Sequence, residues 1–283
     1  MIISIASGKG GTGKTTIAVN FALSLCESYP VQFLDCDVEE PNAHFFLKPN
    51  ISFHTDIGIP IPEVDERKCT YCGKCAEVCA YNAIAVIKQN VLIFPELCHG
   101  CGGCALLCPE KAITEKNRVI GVREFGMADS IQFVHGKLNI GEPMPTPLIR
   151  EVKRCINPTR IIIADAPPGT SCPMIESIKE SDFCILVTEP TPFGLNDLKL
   201  AVGVVRKLRI PFGVIINRAD IGDKKVEEYC IEKKIPILMS IPMDKEIAIA
   251  YSKGVPFVFE KPEWKEKFIE LYKNIKILIQ KND

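Results

Sequence analysis

The sequence predicts an α/β protein: a doubly wound, mostly parallel sheet with a small α+β module inserted into it. Three observations predict this. Short apolar runs ending in polar or glycine-rich stretches recur along the chain, a glycine-rich loop follows the first of them, and one cysteine-rich stretch breaks the alternation. At 283 residues and 47% hydrophobic content the chain can bury a large core with a small satellite, and nothing in its composition points to disorder.

The runs at residues 2–6, 31–35, 131–134, 161–165, 183–188, 212–217 and 237–240 read as buried parallel strands, because strands covered on both faces are apolar almost throughout. Residues 15–27, 195–207 and 223–233 have helical spacing and suit crossover helices. From about residue 60 to 118 the pattern changes, so the outer domain is expected at 1–59 and 119–283, with 60–118 inserted. The proline-rich approach Ile59-Pro60-Ile61-Pro62 reads as a linker.

Lys and Arg total 34 against 35 Asp and Glu, which leaves no electrostatic case for a nucleic-acid partner or an acidic membrane surface. Met1 to Ala6 runs straight into the glycine-rich loop without the features of a leader, and no apolar run reaches the length of a membrane span. A cytoplasmic location is expected. Of the fourteen cysteines, eight crowd into residues 69–108, which in a reducing compartment points to metal rather than disulfides.

Gly8-Lys9-Gly10-Gly11-Thr12-Gly13-Lys14-Thr15 fits G-x-x-x-x-G-K-[ST] between a strand and a helix. Its glycines let backbone N–H groups turn onto phosphate oxygens, Lys14 reaches the β- and γ-phosphates, and the Thr15 hydroxyl suits Mg²⁺. Thr16 completes the loop residues assigned to ATP. With its extra lysine, Lys9, the loop resembles the deviant Walker A loop of the MinD, ParA, Mrp and nitrogenase iron protein group. The resemblance implies a homodimer that sandwiches two ATP molecules, with Lys9 reaching the partner's phosphates.

Asp35-Cys36-Asp37 stands where that group carries its switch I acid. Asp37 is the candidate for orienting the attacking water, since catalysis of phosphoryl transfer is chiefly such positioning. Residues 161–165, followed by Ala166-Pro167-Pro168-Gly169, read as Walker B and switch II, with Asp165 directed toward Mg²⁺ and the Gly169 N–H offered to a γ-phosphate. A helix-capping role for Asp165 is the bland alternative. Asn217, Pro242 and Asp244 sit where the resembling proteins hold adenine and ribose, although an Asn after a strand is often only a turn former.

The cysteine stretch contains an internal repeat. Cys69, Cys72, Cys75 and Cys79 recur 29 residues later as Cys98, Cys101, Cys104 and Cys108, and Ala83-Ile84 recurs as Ala112-Ile113. Each set has the C-x₂-C-x₂-C-x₃-C spacing of bacterial ferredoxins, in which the fourth cysteine ligates the other cluster. That assigns Cys69, Cys72, Cys75 and Cys108 to one 4Fe-4S cluster and Cys98, Cys101, Cys104 and Cys79 to a second. Gly73, Gly100, Gly102 and Gly103 let the backbone curl close to the cluster sulfides. Zinc would need two separate tetrahedral sites, and disulfides an oxidising compartment. Pro109 follows Cys108 as the pattern expects, whereas Ala80 replaces the proline after Cys79. The insert resembles a two-cluster ferredoxin, and the chain as a whole resembles MinD-type ATPases that contain such an insert.

Cys172, seven residues after Asp165, is either a dimer-bridging cluster ligand of the kind the nitrogenase iron protein carries or an apolar thiol. Cys26, Cys36, Cys155, Cys184 and Cys230 read as small hydrophobes, and His44, His54, His99 and His135 form no ligand spacing. Trp264, Phe268, Leu271, Ile275 and Leu278 fall on one helical face, which suits docking on the core or, in some resembling proteins, a membrane surface. The expected function is ATP hydrolysis coupled to electron transfer through two 4Fe-4S clusters to a protein partner. A cluster assembly or carrier protein of the Mrp type is the alternative, and a positioning ATPase of the MinD or ParA type comes third.

Overall fold

Apolar runs that must leave water on both faces pair first with one another, and the chain builds its sheet from them. A computed structural model describes residues 1–280. Its elements run β1 (Ile2–Ala6), α1 (Lys14–Leu25), β2 (Val31–Asp35), α2 (His44–Leu47), β3 (Asn50–Val64), α3 (Lys74–Val78), β4 (Ile84–Ile87), β5 (Asn90–Ile93), α4 (Gly103–Leu106), β6 (Ile113–Ala128), β7 (Ile131–Leu138) and α5 (Thr146–Lys153). They continue through β8 (Ile161–Asp165), α6 (Cys172–Ile178), β9 (Phe183–Thr188), α7 (Pro192–Lys207), β10 (Phe212–Asn217), α8 (Lys225–Glu232), β11 (Ile237–Ile241), α9 (Lys245–Ser252), α10 (Phe257–Glu260) and α11 (Glu263–Gln280).

Nine strands form one sheet in the order β11-β10-β9-β1-β8-β2-β7-β6-β3. The strands from β11 to β7 are mutually parallel, while β6 and β3 add antiparallel at one edge. β1 lies between β8 and β9, so strand order reverses around it, and the loop leaving its carboxyl end opens into the crevice where such sheets bind ligands.

Helices cover both faces. On one, α1 packs on α11, with Phe21 and Phe268 ring centroids 5.9 Å apart. Trp264, Phe268, Leu271 and Ile275 are all buried there, so the apolar face of the last helix is spent on the core. No described helix is long and apolar enough to cross a membrane. Elsewhere α7 packs on β9, and α5 on β7 and β6, each closing its own apolar cluster.

The stretch expected as a linker is strand. β3 runs without a break through Ile59-Pro60-Ile61-Pro62 and pairs with β6 from Asn50 opposite Met127 to Val64 opposite Ile113. Both expected boundaries, 60 and 118, therefore fall inside paired strands. The prolines are accommodated because β3 is the sheet's outermost strand, where one side of the backbone needs no partner. The register slips between Ile57 and Gly58, leaving Ile120 as an extra residue on β6. β7 stops pairing at Gly121, so beyond this bulge the two strands leave the sheet as an arm. Arg118 grips Glu142 with both ends of its guanidinium, one bond measuring 3.0 Å, and Asn139 N donates to Ile120 O at 2.9 Å. The arm's root is thus pinned, and the cysteine segment forms its tip, with β4 and β5 as a separate two-stranded hairpin.

Candidate functional site

The loop after β1 adopts its shape because two glycines take left-handed backbone, Gly11 at φ 80° and Gly13 at φ 87°. Gly13 leads directly into α1, so Lys14 and Thr15 begin the helix, both buried. Lys14 Nζ lies 2.7 Å from Asp165 Oδ1, and the Thr15 hydroxyl donates to Asp165 Oδ2 at 2.6 Å. Burial works against the Lys14 ammonium, but Asp165, with Asp37 and Asp35 behind it, more than offsets this and raises its pKa. Asp165, the end of β8, is fully buried and organises both loop side chains.

Asp35 ends β2 opposite Asp165 and is also fully buried. One carboxylate oxygen accepts from Asp37 N at 3.1 Å, and the other from Asn42 N and Ala43 N, each at 3.1 Å. Burial, then the Asp165 charge, pushes the Asp35 pKa up. Asp35 therefore shapes the loop that presents Asp37. Burial raises Asp37 to about 6 against the pull of Lys14.

Lys14, Thr15 and Asp37 border a cavity of about 460 Å³, within the range of small-molecule pockets. Lys9, Gly10, Gly11, Thr12, Gly13, Lys14, Thr15, Thr16 and Asp37 line one end, and Asn217, Pro242 and Asp244 the other. Asn217 Nδ2 donates to Thr12 O at 2.9 Å, which ties β10 to the loop. The Thr12 hydroxyl and Asn42 Oδ1, both at the cavity, are buried without a protein partner, an arrangement that suits a polar ligand. Asp244 caps α9 by accepting from Glu246 N at 2.8 Å and pairs with Lys261.

Two glycines assigned to the nucleotide sit otherwise. Gly8 is not at the cavity; a Cβ there would stand 2.3 Å from Asp197 O, so it is glycine because α7 passes against it. The Gly169 N–H donates to Ser7 O at 3.0 Å in this conformation. Residues that sequence reasoning passed over complete the cavity: Met243, Ile247, Tyr251 and Phe257 make its apolar end. Glu189, at the end of β9, lies 3.8 Å from Lys9 Nζ and 2.7 Å from Arg218 Nη1. Nothing in local spacing links positions so far apart in the chain.

At the arm's tip all eight cysteines are free, as are the other six, so no disulfide forms. Two small hollows lie among them. Cys69, Cys72, Cys75 and Cys108 line one, and Cys79, Cys98, Cys101 and Cys104 the other. The helical turns after Gly73 and Gly102, both in left-handed backbone, carry Cys75 and Cys104, and the fourth cysteine of each repeat lines the other's hollow. Backbone N–H groups point at sulfur in matched pairs: Tyr71 to Cys69 at 3.4 Å and Gly100 to Cys98 at 3.5 Å, Ala83 to Cys79 and Ala112 to Cys108 at 3.3 Å. Among the described residues no three or more His, Cys, Asp or Glu groups are drawn together tightly enough for a single ion. His99 stacks on Tyr81 at 3.6 Å beside the second hollow.

Cys172 is exposed in the first turn of α6. Cys36, Cys184 and Cys230 are buried, and burial pushes the first two thiols up to about 12 and the third to about 11, which makes them inert fillers.

A phosphate-cradling loop at the point where strand order reverses, facing a buried acid on the neighbouring strand, defines a P-loop nucleotide-binding ATPase. The chain belongs to the CobQ/CobB/MinD/ParA nucleotide binding domain family, whose model matches residues 3–257. An uncharacterized protein of Methanocaldococcus jannaschii is 33% identical over 91% of this chain and 91% of its own. An iron-sulfur cluster carrier protein of Aquifex aeolicus is 26% identical over 93% of this chain and 63% of its own. Among solved structures, the septum site-determining protein MinD of Pyrococcus horikoshii, complexed with Mg-ADP, superposes with a TM-score of 0.60 over 97% of this chain and 95% of its own, at 22% identity.

Proposed function

We propose that this ATPase works as a homodimer that couples its nucleotide state to electron transfer through two 4Fe-4S clusters held in a ferredoxin-like module. The observation that carries the proposal is the crossed lining of the two hollows: three cysteines of each repeat face the fourth of the other, the arrangement that two-cluster ferredoxins require. The apolar walls and the N–H groups aimed at sulfur fit thiolate ligands of a cluster better than those of a small hard ion. Bound there, the clusters would take up and release single electrons.

The ATPase residues divide the other work. Lys14 exchanges Asp165 for the β- and γ-phosphates, and Thr15 and Asp165 would hold Mg²⁺, which would neutralise phosphate charge there. Asp37 orients the attacking water, with Asp35 fixing the loop that carries it. Lys9 leaves Glu189 to neutralise charge on the partner's nucleotide. The base and ribose occupy the end bordered by Asn217, Pro242, Asp244 and Tyr251. The test is the rate of electron delivery to a redox acceptor with ATP, with ADP and after Lys14→Ala; equal rates in all three would eliminate coupling.

Relatives named as iron-sulfur cluster carrier proteins favour a second reading, in which the clusters are cargo handed to an acceptor protein. Beyond Cys184 the chain has one cysteine, the buried Cys230, so it has no exposed pair there to hold a labile cluster. Transfer to an apo-acceptor, followed by its visible absorption, separates the two readings.

A further inference from the structure

The two cysteine sets are related by a sequence repeat but are not placed alike. Cys98 is 9% exposed and belongs to a contiguous apolar cluster of the ATPase body with Leu34, Val38, Ile57, Ile59 and Ile61, against which Cys79 also packs. None of Cys69, Cys72, Cys75 and Cys108 reaches that cluster; Cys75 and Cys108 pack against a small separate one built on Ile84, Cys104 and Ile113. The loop of the near set lies flat on the arm: a Cβ on Gly100 would stand 3.1 Å from Pro60 O. One hollow is thus joined to the ATPase body, and the other hangs beyond it.

The same cluster reaches the nucleotide cavity. Asp37 borders the cavity, while its neighbours Cys36 and Val38 are buried in the cluster, so one extended stretch presents its carboxylate to one side and its apolar side chains to the other. Val38 O accepts from Leu138 N at 2.8 Å, and the next residue, Asn139, holds the bulge at Ile120 where the arm departs. In an interior packed to crystal density, a shift of Asp37 on nucleotide binding displaces Val38 and then the isoleucines of the arm.

We infer that nucleotide state is read by the near set, Cys79, Cys98, Cys101 and Cys104, with Val38 and the Ile57, Ile59 and Ile61 face of the arm as positioning residues, and that it does not reach the far loop of Cys69 and Cys72, which belongs to neither apolar cluster. The inference rests on the iron-sulfur reading above. It names which of two otherwise similar sites ATP controls.

The test uses the holoprotein purified without oxygen, with iron and sulfide measured, and compares amide hydrogen exchange with and without Mg·ATP. The amides of Gly100 and Tyr71 occupy equivalent positions in the two repeats and serve as paired reporters. Exchange at residues 98–101 is expected to change at least about threefold while that at 69–72 stays unchanged, as local opening responds to local packing. In a redox titration ATP should move one of two midpoints. Val38→Ala, and the milder Ile59→Val should the first fold poorly, should shrink both responses while leaving ATP affinity and iron content intact. Equal responses in both loops, a response confined to 69–72, no response, or a full response in both variants would overturn the inference. A preparation without iron and sulfide would instead overturn the iron-sulfur reading on which it stands, whatever the loops do.

Discussion

Glu189→Gln should make the ATP-bound dimer tighter. Glu189 is 7% exposed and holds Lys9 within its own protomer at 3.8 Å, while Arg218 takes the other carboxylate oxygen at 2.7 Å. If Lys9 serves the partner's nucleotide, each protomer gives up its Lys9 pairing on closure. A partly exposed pair at that distance contributes about 0.5 kcal/mol. Two are lost in a symmetric dimer, so removing the charge in advance favours closure by about 1 kcal/mol, or about fivefold in dimer dissociation constant. Glutamine keeps an acceptor for Arg218, so the β9 end should hold its shape. Sedimentation with a non-hydrolysable ATP analogue measures the shift, which should shrink in high salt. The Lys9→Ala background supplies the control, since there the Glu189→Gln gain must vanish. A Glu189→Gln dimer no tighter than wild type at low salt, or an equal gain without Lys9, would refute the reasoning.

Hydrolysis should follow the ionisation of Asp37, whose pKa burial raises to about 6. As pH falls through that value the carboxylate is protonated and the rate drops; Asp37→Asn should lack this acid limb and run about 100-fold or more slower at neutral pH. The crossed ligand sets make double substitutions informative: Cys79→Ala with Cys98→Ala damages one set and should leave about four iron per chain, whereas Cys69→Ala with Cys79→Ala damages both and should leave almost none. Iron analysis with the opposite result would reject the crossing. Phe268→Ala should cost about 3–5 kcal/mol in urea unfolding, because Phe268 is fully buried between Phe21 and Phe257; a loss under about 1 kcal/mol would mean that α11 is only loosely docked.

The parallel part of the sheet was legible because each of its strands is apolar on both faces and bounded by glycine or polar residues, as at Ile161–Asp165. The arm was not. Residues 50–56 of β3 are exposed throughout, β6 carries Glu115, Lys116 and Arg118, and Pro60 and Pro62 argue against a strand, so no alternation announces the ribbon. Its pairing depends on an edge position that only the finished sheet creates. Lys14, Thr15 and Asp165 were singled out from spacing, and the structure gathers them within hydrogen-bonding distance. Gly8 matched the same motif for a different reason, the approach of α7. The clamp of Glu189 on Lys9 and Arg218, and the threefold grip of Asp35 on its loop, join residues whose relation only tertiary structure reveals.

The prolines of β3 carry a consequence for the molecule among its neighbours. An outermost strand presents a row of unmet amide donors and carbonyls on which a stranger's backbone can zip. Pro60 and Pro62 are two positions apart, so their nitrogens face the same way, away from the ladder to Asn117 and Glu115, and the Gly100 loop lies against Pro60 on the arm. Two rungs are therefore missing from the rim beside the cysteine tip. The missing donors work against edge-to-edge pairing of these arms.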